Sequence, residues 1–256
     1  MRKTIPLLFL GLLASGCASK FYIPANHFLT PETGGDFLKG EVKVGSAAVT
    51  QVQVADDVTL ANPDTNPILS RNSTFHLGAN LGLLSFLDTY YSTISGGPSL
   101  IGLKWQILGA PRSMAKARNF SIALAGASAF GSPEQSTTVG GVKGESKINL
   151  KGWDASLILG YRPGDNFLIY STGFRSKIEA DTEIKRTLND VTTITANPNG
   201  SGEMSGVNLG FRWGSSIFLM VEGAYSHNEW TREQPTESKA PNLDSLVVGA
   251  AVGGAW

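Results

Sequence analysis

Ser205-Gly206-Val207-Asn208-Leu209-Gly210-Phe211-Arg212-Trp213 alternates without a break. Val207, Leu209, Phe211 and Trp213 share one parity, and Gly206, Asn208, Gly210 and Arg212 share the other. Successive side chains of a strand point to opposite faces, so this stretch reads as a strand with one apolar face and one polar or small face. The pattern returns in Phe75 to Leu83 and in Ile101 to Ile107, where Gly102, Lys104 and Gln106 oppose Ile101, Leu103, Trp105 and Ile107. Further segments of the same kind are Val42 to Ala48, Leu87 to Thr93, Phe120 to Phe130, Trp153 to Tyr161, Phe167 to Phe174, Ile217 to Tyr225 and Leu246 to Trp256. About ten strands are predicted.

A soluble β-sandwich also alternates, and what sits on each face separates the two cases. The less apolar faces collect Glu41, Lys43, Asp88, Lys104, Asp154, Arg162, Arg212 and Glu222. A sandwich puts such charges in water, whereas a closed transmembrane barrel keeps them in its lumen and turns the apolar face to lipid. The connections favour the barrel: long polar segments at 55–72, 131–146, 179–202 and 231–243 alternate with tight links near Leu84-Ser85, Pro163-Gly164-Asp165 and Gly214-Ser215. Two links depart from this scheme, Ser95 to Pro98 being short where a long loop is due and Ala110 to Asn119 long where a turn is due. The expected fold class is therefore all-β, a closed antiparallel transmembrane β-barrel of about ten strands (eight or twelve remain compatible) over residues 38–256, with both termini periplasmic. Lys177 to Arg186 and Val191 to Ala196 continue the alternation around Leu188-Asn189-Asp190, which predicts a hairpin rising above the membrane. Trp105, Trp153, Trp213, Trp230, Tyr161 and Phe174 fall near strand ends, where aromatic girdles belong.

Composition agrees. Of 256 residues 16% are charged and 30 are Gly, against roughly 25% and ~7% in ordinary soluble domains. Beyond the N-terminus no run approaches the ~20 apolar residues of a membrane-spanning helix. The formal net charge of zero leaves no nucleic-acid footprint, and a single Cys excludes a disulfide framework and multi-thiolate metal sites.

The N-terminus carries a first resemblance. Arg2 and Lys3 precede an apolar run from Ile5 to Leu13, followed by Ala14-Ser15-Gly16 and Cys17. Residues 1–17 resemble a bacterial lipoprotein precursor, with Ala14 where the lipobox prefers an aliphatic residue. The resemblance implies a signal peptide over 1–16, lipidation at Cys17 and, with Ala18 rather than Asp after it, sorting to the outer membrane. Residues 17–37, with Pro24 and Pro31-Glu32-Thr33-Gly34-Gly35, show no clear period and read as the lipidated Cys followed by a periplasmic tether. The C-terminus carries a second resemblance. Leu246, Val248, Ala250, Val252, Gly254 and Trp256 share one face and end on an aromatic residue. This is similar to the final strand of outer-membrane β-barrel proteins, which implies that Val248, Val252 and Trp256 form the signal read by the barrel-assembly machinery.

Several motifs could carry chemistry. Ser113-Met114-Ala115-Lys116 has S-x-x-K spacing without the companion motifs of such enzymes. His227 lies beside Ser226, Asn228 and Glu229, yet neighbours on a strand face opposite ways, so Ser226 and His227 are poorly placed as nucleophile and base. Asp56-Asp57 with Asp64 reads as a solvated loop, and Gly140 to Gly144 as a hairpin tip rather than a phosphate loop. The eight lumen charges, four of each sign, point to mutual pairing, because unpaired charges there cost several kcal/mol each. Inward positions such as Asn208 are expected to tolerate polar replacement. The expected function is that of a non-enzymatic outer-membrane lipoprotein barrel, narrow or closed, acting structurally or through surface interactions of its loops. A narrow pore for small solutes is the alternative and a barrel hydrolase a distant one. No cofactor or metal is expected. The expected partners are outer-membrane lipids and the lipoprotein-processing and barrel-assembly machinery, with no nucleic acid and a surface ligand that the sequence does not identify.

Overall fold

The computed structural model describes residues 18–234 and 236–256, so the signal segment and Cys17 lie outside the described residues. The strands are β1 (Ser19–Pro24), β2 (Gly40–Ala55), β3 (Ile68–Leu84), β4 (Leu87–Ile94), β5 (Ser99–Leu108), β6 (Asn119–Gly131), β7 (Glu134–Val139), β8 (Val142–Gly164), β9 (Phe167–Leu188), β10 (Val191–Ala196), β11 (Asn199–Gly214), β12 (Ile217–Gln234), β13 (Ser238–Lys239) and β14 (Leu243–Ala255). Ten of them, β2 to β6, β8, β9, β11, β12 and β14, close into an antiparallel ring in which β8 meets β9 and β14 meets β2. Nine of the expected strands lie inside one of these ten, and the last, Leu246 to Trp256, does so except for Trp256, which follows the end of β14. The hairpin beyond the ring also forms, β10 pairing with β9 from Val191↔Leu188 onward.

Closure requires stagger. Paired residues followed once around the ring from Ala255, through Glu41, Asn80, Tyr90, Gly102, Ala127, Asp154, Ser176, Met204 and Asn228, return to β14 at Leu243, twelve residues up the same strand. A shear of that size in ten strands gives a strand tilt of about 40°.

The character of each face changes along the strands. On β8 the outward row from Tyr161 through Leu159, Leu157 and Ala155 to Trp153 is apolar, about the length a tilted strand needs to cross a bilayer core. Beyond Trp153 the same row becomes Lys151, Asn149, Lys147 and Glu145. On β9 it passes from Ile169 to Arg175, Lys177, Glu179 and Asp181, and on β12 from Val221 and Tyr225 to His227 and Glu229. The inward rows change in the opposite sense. Below this boundary they hold Lys43, Lys104, Arg212 and Glu222, all buried; above it they hold Ile148, Ile178, Met204 and Trp230, also buried and in one cluster with Phe21, Ile23, Val52 and Val54. One barrel thus has a lipid-type half and a water-type half. Outward ion pairs cover the second, such as Arg175 with Glu203 at 2.5 Å and Lys185 with Glu183 at 2.7 Å.

Two expected girdle residues are corrected here. Trp105, Trp153, Trp213 and Tyr161 do face outward and are exposed, but Trp230 and Phe174 point inward and are buried. Both carry the inward parity of their strands: Trp230 meets Phe21 edge-on at 5.2 Å, and Phe174 lies 4.3 Å from the His27 ring.

Candidate functional site: a lumen closed by the N-terminal segment

Residues 18–35 are not a free tether. β1 pairs with the upper half of β2, from Ser19↔Ala55 to Pro24↔Val49, and every residue from Ala25 to Gly35 is buried inside the ring. The segment enters at the mouth with the long loops, where the Ser19 and Ser146 hydroxyls are 2.5 Å apart. It reaches the other mouth at Thr33, whose Oγ1 donates to Ser85 O (2.7 Å) in the β3–β4 turn and whose carbonyl accepts from Arg112 N (2.9 Å). There Gly35, at φ 97°, turns the chain back towards β2, a conformation open to glycine and strained for other residues. The expectation that both termini share one end is thereby corrected for the described residues. Ala18 stands at the long-loop mouth, and Trp256 exchanges backbone hydrogen bonds with Gly40 at the short-turn mouth. The missing period has a physical reason: a segment surrounded on all sides has no solvent face to alternate with.

This segment is threaded through the polar half of the lumen, and it completes the charge network. Lys104 pairs with Asp88 at 3.2 Å, and Glu41 lies 3.3 Å from Lys43 and 2.8 Å from Arg212. The other three of the eight charges do not pair among themselves. Asp154 binds His27 Nε2 at 2.9 Å and receives Ser176 Oγ at 2.6 Å. Glu222 accepts from His27 N at 3.0 Å and Tyr170 OH at 2.9 Å. Arg162 grips Glu32, with Nε to Oε1 at 3.0 Å and a second bond to Oε2. Backbone groups of the segment serve the rest: Lys43 Nζ donates to Phe28 O (2.6 Å), Lys104 Nζ to Thr30 O (3.1 Å) and Glu32 O (2.7 Å), and Gly34 N donates to Asp88 (3.0 Å). Phe28 takes a positive φ of 49° and packs its ring 5.0 Å from that of His76. A buried charge is tolerable only when paired and hydrogen-bonded, and here the wall and the segment are each the other's partner. Mutual pairing across the wall is thus half of the arrangement.

Asn208 is also corrected. It is fully buried between His27 Nδ1 (3.4 Å) and Glu222 Oε2 (3.3 Å), so replacement there disturbs the network rather than meeting open lumen.

At the short-turn mouth a cavity of about 400 Å³ is lined by Lys39, Arg112, Arg162, Arg212, Ser113 and Trp256 among others. Its arginines are held from behind: Arg112 Nη1 and Arg212 Nη1 donate to Glu41 Oε2 at 2.6 and 2.8 Å, and Arg212 lies 3.8 Å from the centre of the Phe218 ring.

The remaining motifs do not assemble. Ser226 is buried in the lumen, while His227 faces outward and bonds Asp244 through Nδ1 (2.7 Å) and Glu229 through Nε2 (3.2 Å). These two acceptors raise the His227 pKa above its ordinary value. Ser113 lines the mouth cavity, and Lys116 is not among the residues lining it. Asp56 Oδ1 accepts from the backbone N–H groups of Asp57 (2.6 Å) and Asp64 (2.8 Å), tying the loop to itself. Gly140 and Gly141, at φ 58° and 82°, form the tip between β7 and β8. Leu246, Val248 and Val252 are exposed on the outward face of β14, and Trp256 follows its last residue, exposed at the short-turn mouth with its Nε1 donating to Leu38 O (3.0 Å).

The sequence reading missed every residue of the internal segment. Two signals were present. Lys20-Phe21-Tyr22-Ile23 alternates, and ten strands enclose more space than the eight whose side chains just fill a barrel.

No known protein family's sequence profile matches the chain, and no curated protein matches it. Among solved structures, the crystal structure of the outer membrane channel DcaP of Acinetobacter baumannii is similar at 6% identity and a TM-score of 0.21, over 86% of this chain and 96% of that one. The fold assignment rests on the closed hydrogen-bonded ring.

Proposed function

We propose that this protein is an outer-membrane barrel lipoprotein with a closed lumen, acting without catalysis as a structural or surface-interaction element through the wall and loops beyond the bilayer. The observation that carries this is residues 25–35 filling the polar half of the ring, their groups bonded to six of the eight lumen charges, Lys43, Asp88, Lys104, Asp154, Arg162 and Glu222. Membrane residence is supported by the apolar outward belt, which in water would expose Ile101, Leu103, Trp105 and Ile107 on a single strand. Orientation follows the usual order of such barrels, short turns to the periplasm and long loops outside. The motif from Arg2 to Cys17 supports lipidation of Cys17, and the aromatic-ended β14 supports recognition by assembly machinery.

Planar-bilayer conductance tests closure against the pore alternative. The full chain is expected to be silent, and a variant lacking residues 26–34 to open steps whose ion selectivity changes further on Lys104→Glu. Steady channels from the full chain, with selectivity altered by Lys104→Glu alone, would favour the pore and contradict the closed reading.

A further inference from the structure

The direction in which the internal segment runs decides the mouth at which Ala18 stands. Ser19 stands opposite Ala55, the last residue of β2 before the long loop at 56–67, and touches Ser146 on the part of β8 that rises beyond the apolar belt. Lys20 exchanges backbone hydrogen bonds with the Gln135 side chain on β7. Tyr22 N donates to Gly96 O (3.1 Å) in the β4–β5 turn at the same mouth. From there the chain only descends, through His27 beside Asp154 to Glu32 beside Arg162. A residue bonded to Ala18 is one peptide unit, about 3.8 Å, further out.

We propose that the barrel carries Ala18, the start of the described internal segment, across the membrane and displays it on the external face, opposite the periplasmic mouth where Trp256 lies. This rests on the orientation given under Proposed function and adds to it the side on which Ala18 lies. The order of assembly follows from the same geometry. β14 and β2 pair only from Ala250↔Ser46 to Ala255↔Glu41, and above that point β1 takes the β2 edge. The segment must therefore be laid along β2 before this seam closes, since threading it afterwards would pull a string of charged and polar groups through a filled interior.

Three cysteine variants, each retaining Cys17, test this in intact cells with a membrane-impermeant maleimide: Ala18→Cys, Thr138→Cys on β7 and Lys116→Cys in the link at the short-turn mouth. Ala18→Cys and Thr138→Cys are expected to label to the same extent before and after permeabilisation, and Lys116→Cys only after it. Should Ala18→Cys follow Lys116→Cys instead, the threading is overturned. Should Thr138→Cys need permeabilisation and Lys116→Cys not, the orientation fails, while threading is still judged by whether position 18 follows position 138. The unsubstituted chain is expected to stay unlabelled because Cys17 is acylated, and labelling of it would refute lipidation alone. A short epitope inserted between Ala18 and Ser19, read by antibody on intact cells, gives the same answer should the thiol at position 18 be shielded.

Discussion

Replacing Glu41 by leucine is expected to cost this protein about 3 to 5 kcal/mol or more, the cost of stripping the partner from a buried ion pair. Glu41 is fully buried and holds three cations at once: Lys43 at 3.3 Å, Arg112 at 2.6 Å and Arg212 at 2.8 Å, with Asn80 Nδ2 donating at 3.1 Å. Its removal leaves three positive groups facing one another with no carboxylate between them. Lys43→Met is the informative contrast, because Glu41 then still has two guanidinium partners and only Phe28 O loses its donor. A smaller loss is expected there. Against a total stability on the order of 5 to 15 kcal/mol, the loss at Glu41 removes a large fraction of the whole. Urea unfolding in detergent micelles, with heat-modifiable gel migration as the folding check, measures both. Equal losses for the two variants would mean that Glu41 is not the hub of the network.

A lysine at position 209 is expected to cost about 2 to 4 kcal/mol on refolding into lipid vesicles, because Leu209 faces lipid near the middle of the apolar belt, 64% exposed. The same charge placed further along the row, by Glu203→Lys, should cost less than about 1 kcal/mol, since Glu203 lies beyond the boundary in an exposed pair with Arg175. The ratio between two positions on one face of β11 locates the membrane edge from energetics alone. Equal penalties would mean that the outward belt does not meet lipid.

The wall was legible because period two is a local signal. Each segment such as Ile101 to Ile107 states its own two faces, and parity then put Glu41, Lys43, Asp88, Lys104, Asp154, Arg162, Arg212 and Glu222 on the inward side, where all eight are buried. The contents of the lumen were not legible in the same way. Asn26, His27 and Glu32 are defined by partners far away in the chain: His27 meets Asp154 across 127 positions and Glu32 meets Arg162 across 130. No spacing rule over a short window connects them. Even so, parity read to the end would have recovered part of it. Phe174 and Trp230 carry the inward parity of β9 and β12, and a large aromatic residue on the inward face of a ten-stranded ring implies something apolar to pack against, which Phe21 supplies for Trp230. Counting charges by sign concealed the rest, because four against four looks balanced while Asp154, Glu222 and Arg162 lack wall partners of opposite charge.

The N-terminal segment runs through the closed ring from a start at the long-loop mouth, and a disulfide between positions 19 and 146 reports on that path. The two serine hydroxyls are 2.5 Å apart in the buried upper lumen, within the reach of a Cys–Cys bridge. In the double variant Ser19→Cys, Ser146→Cys, extracted folded and without reductant, one linked peptide joining the N-terminal segment to β8 is expected, absent from either single variant and lost on reduction. Two free thiols in folded protein, with residue 19 open to reagent from the short-turn side, would contradict it.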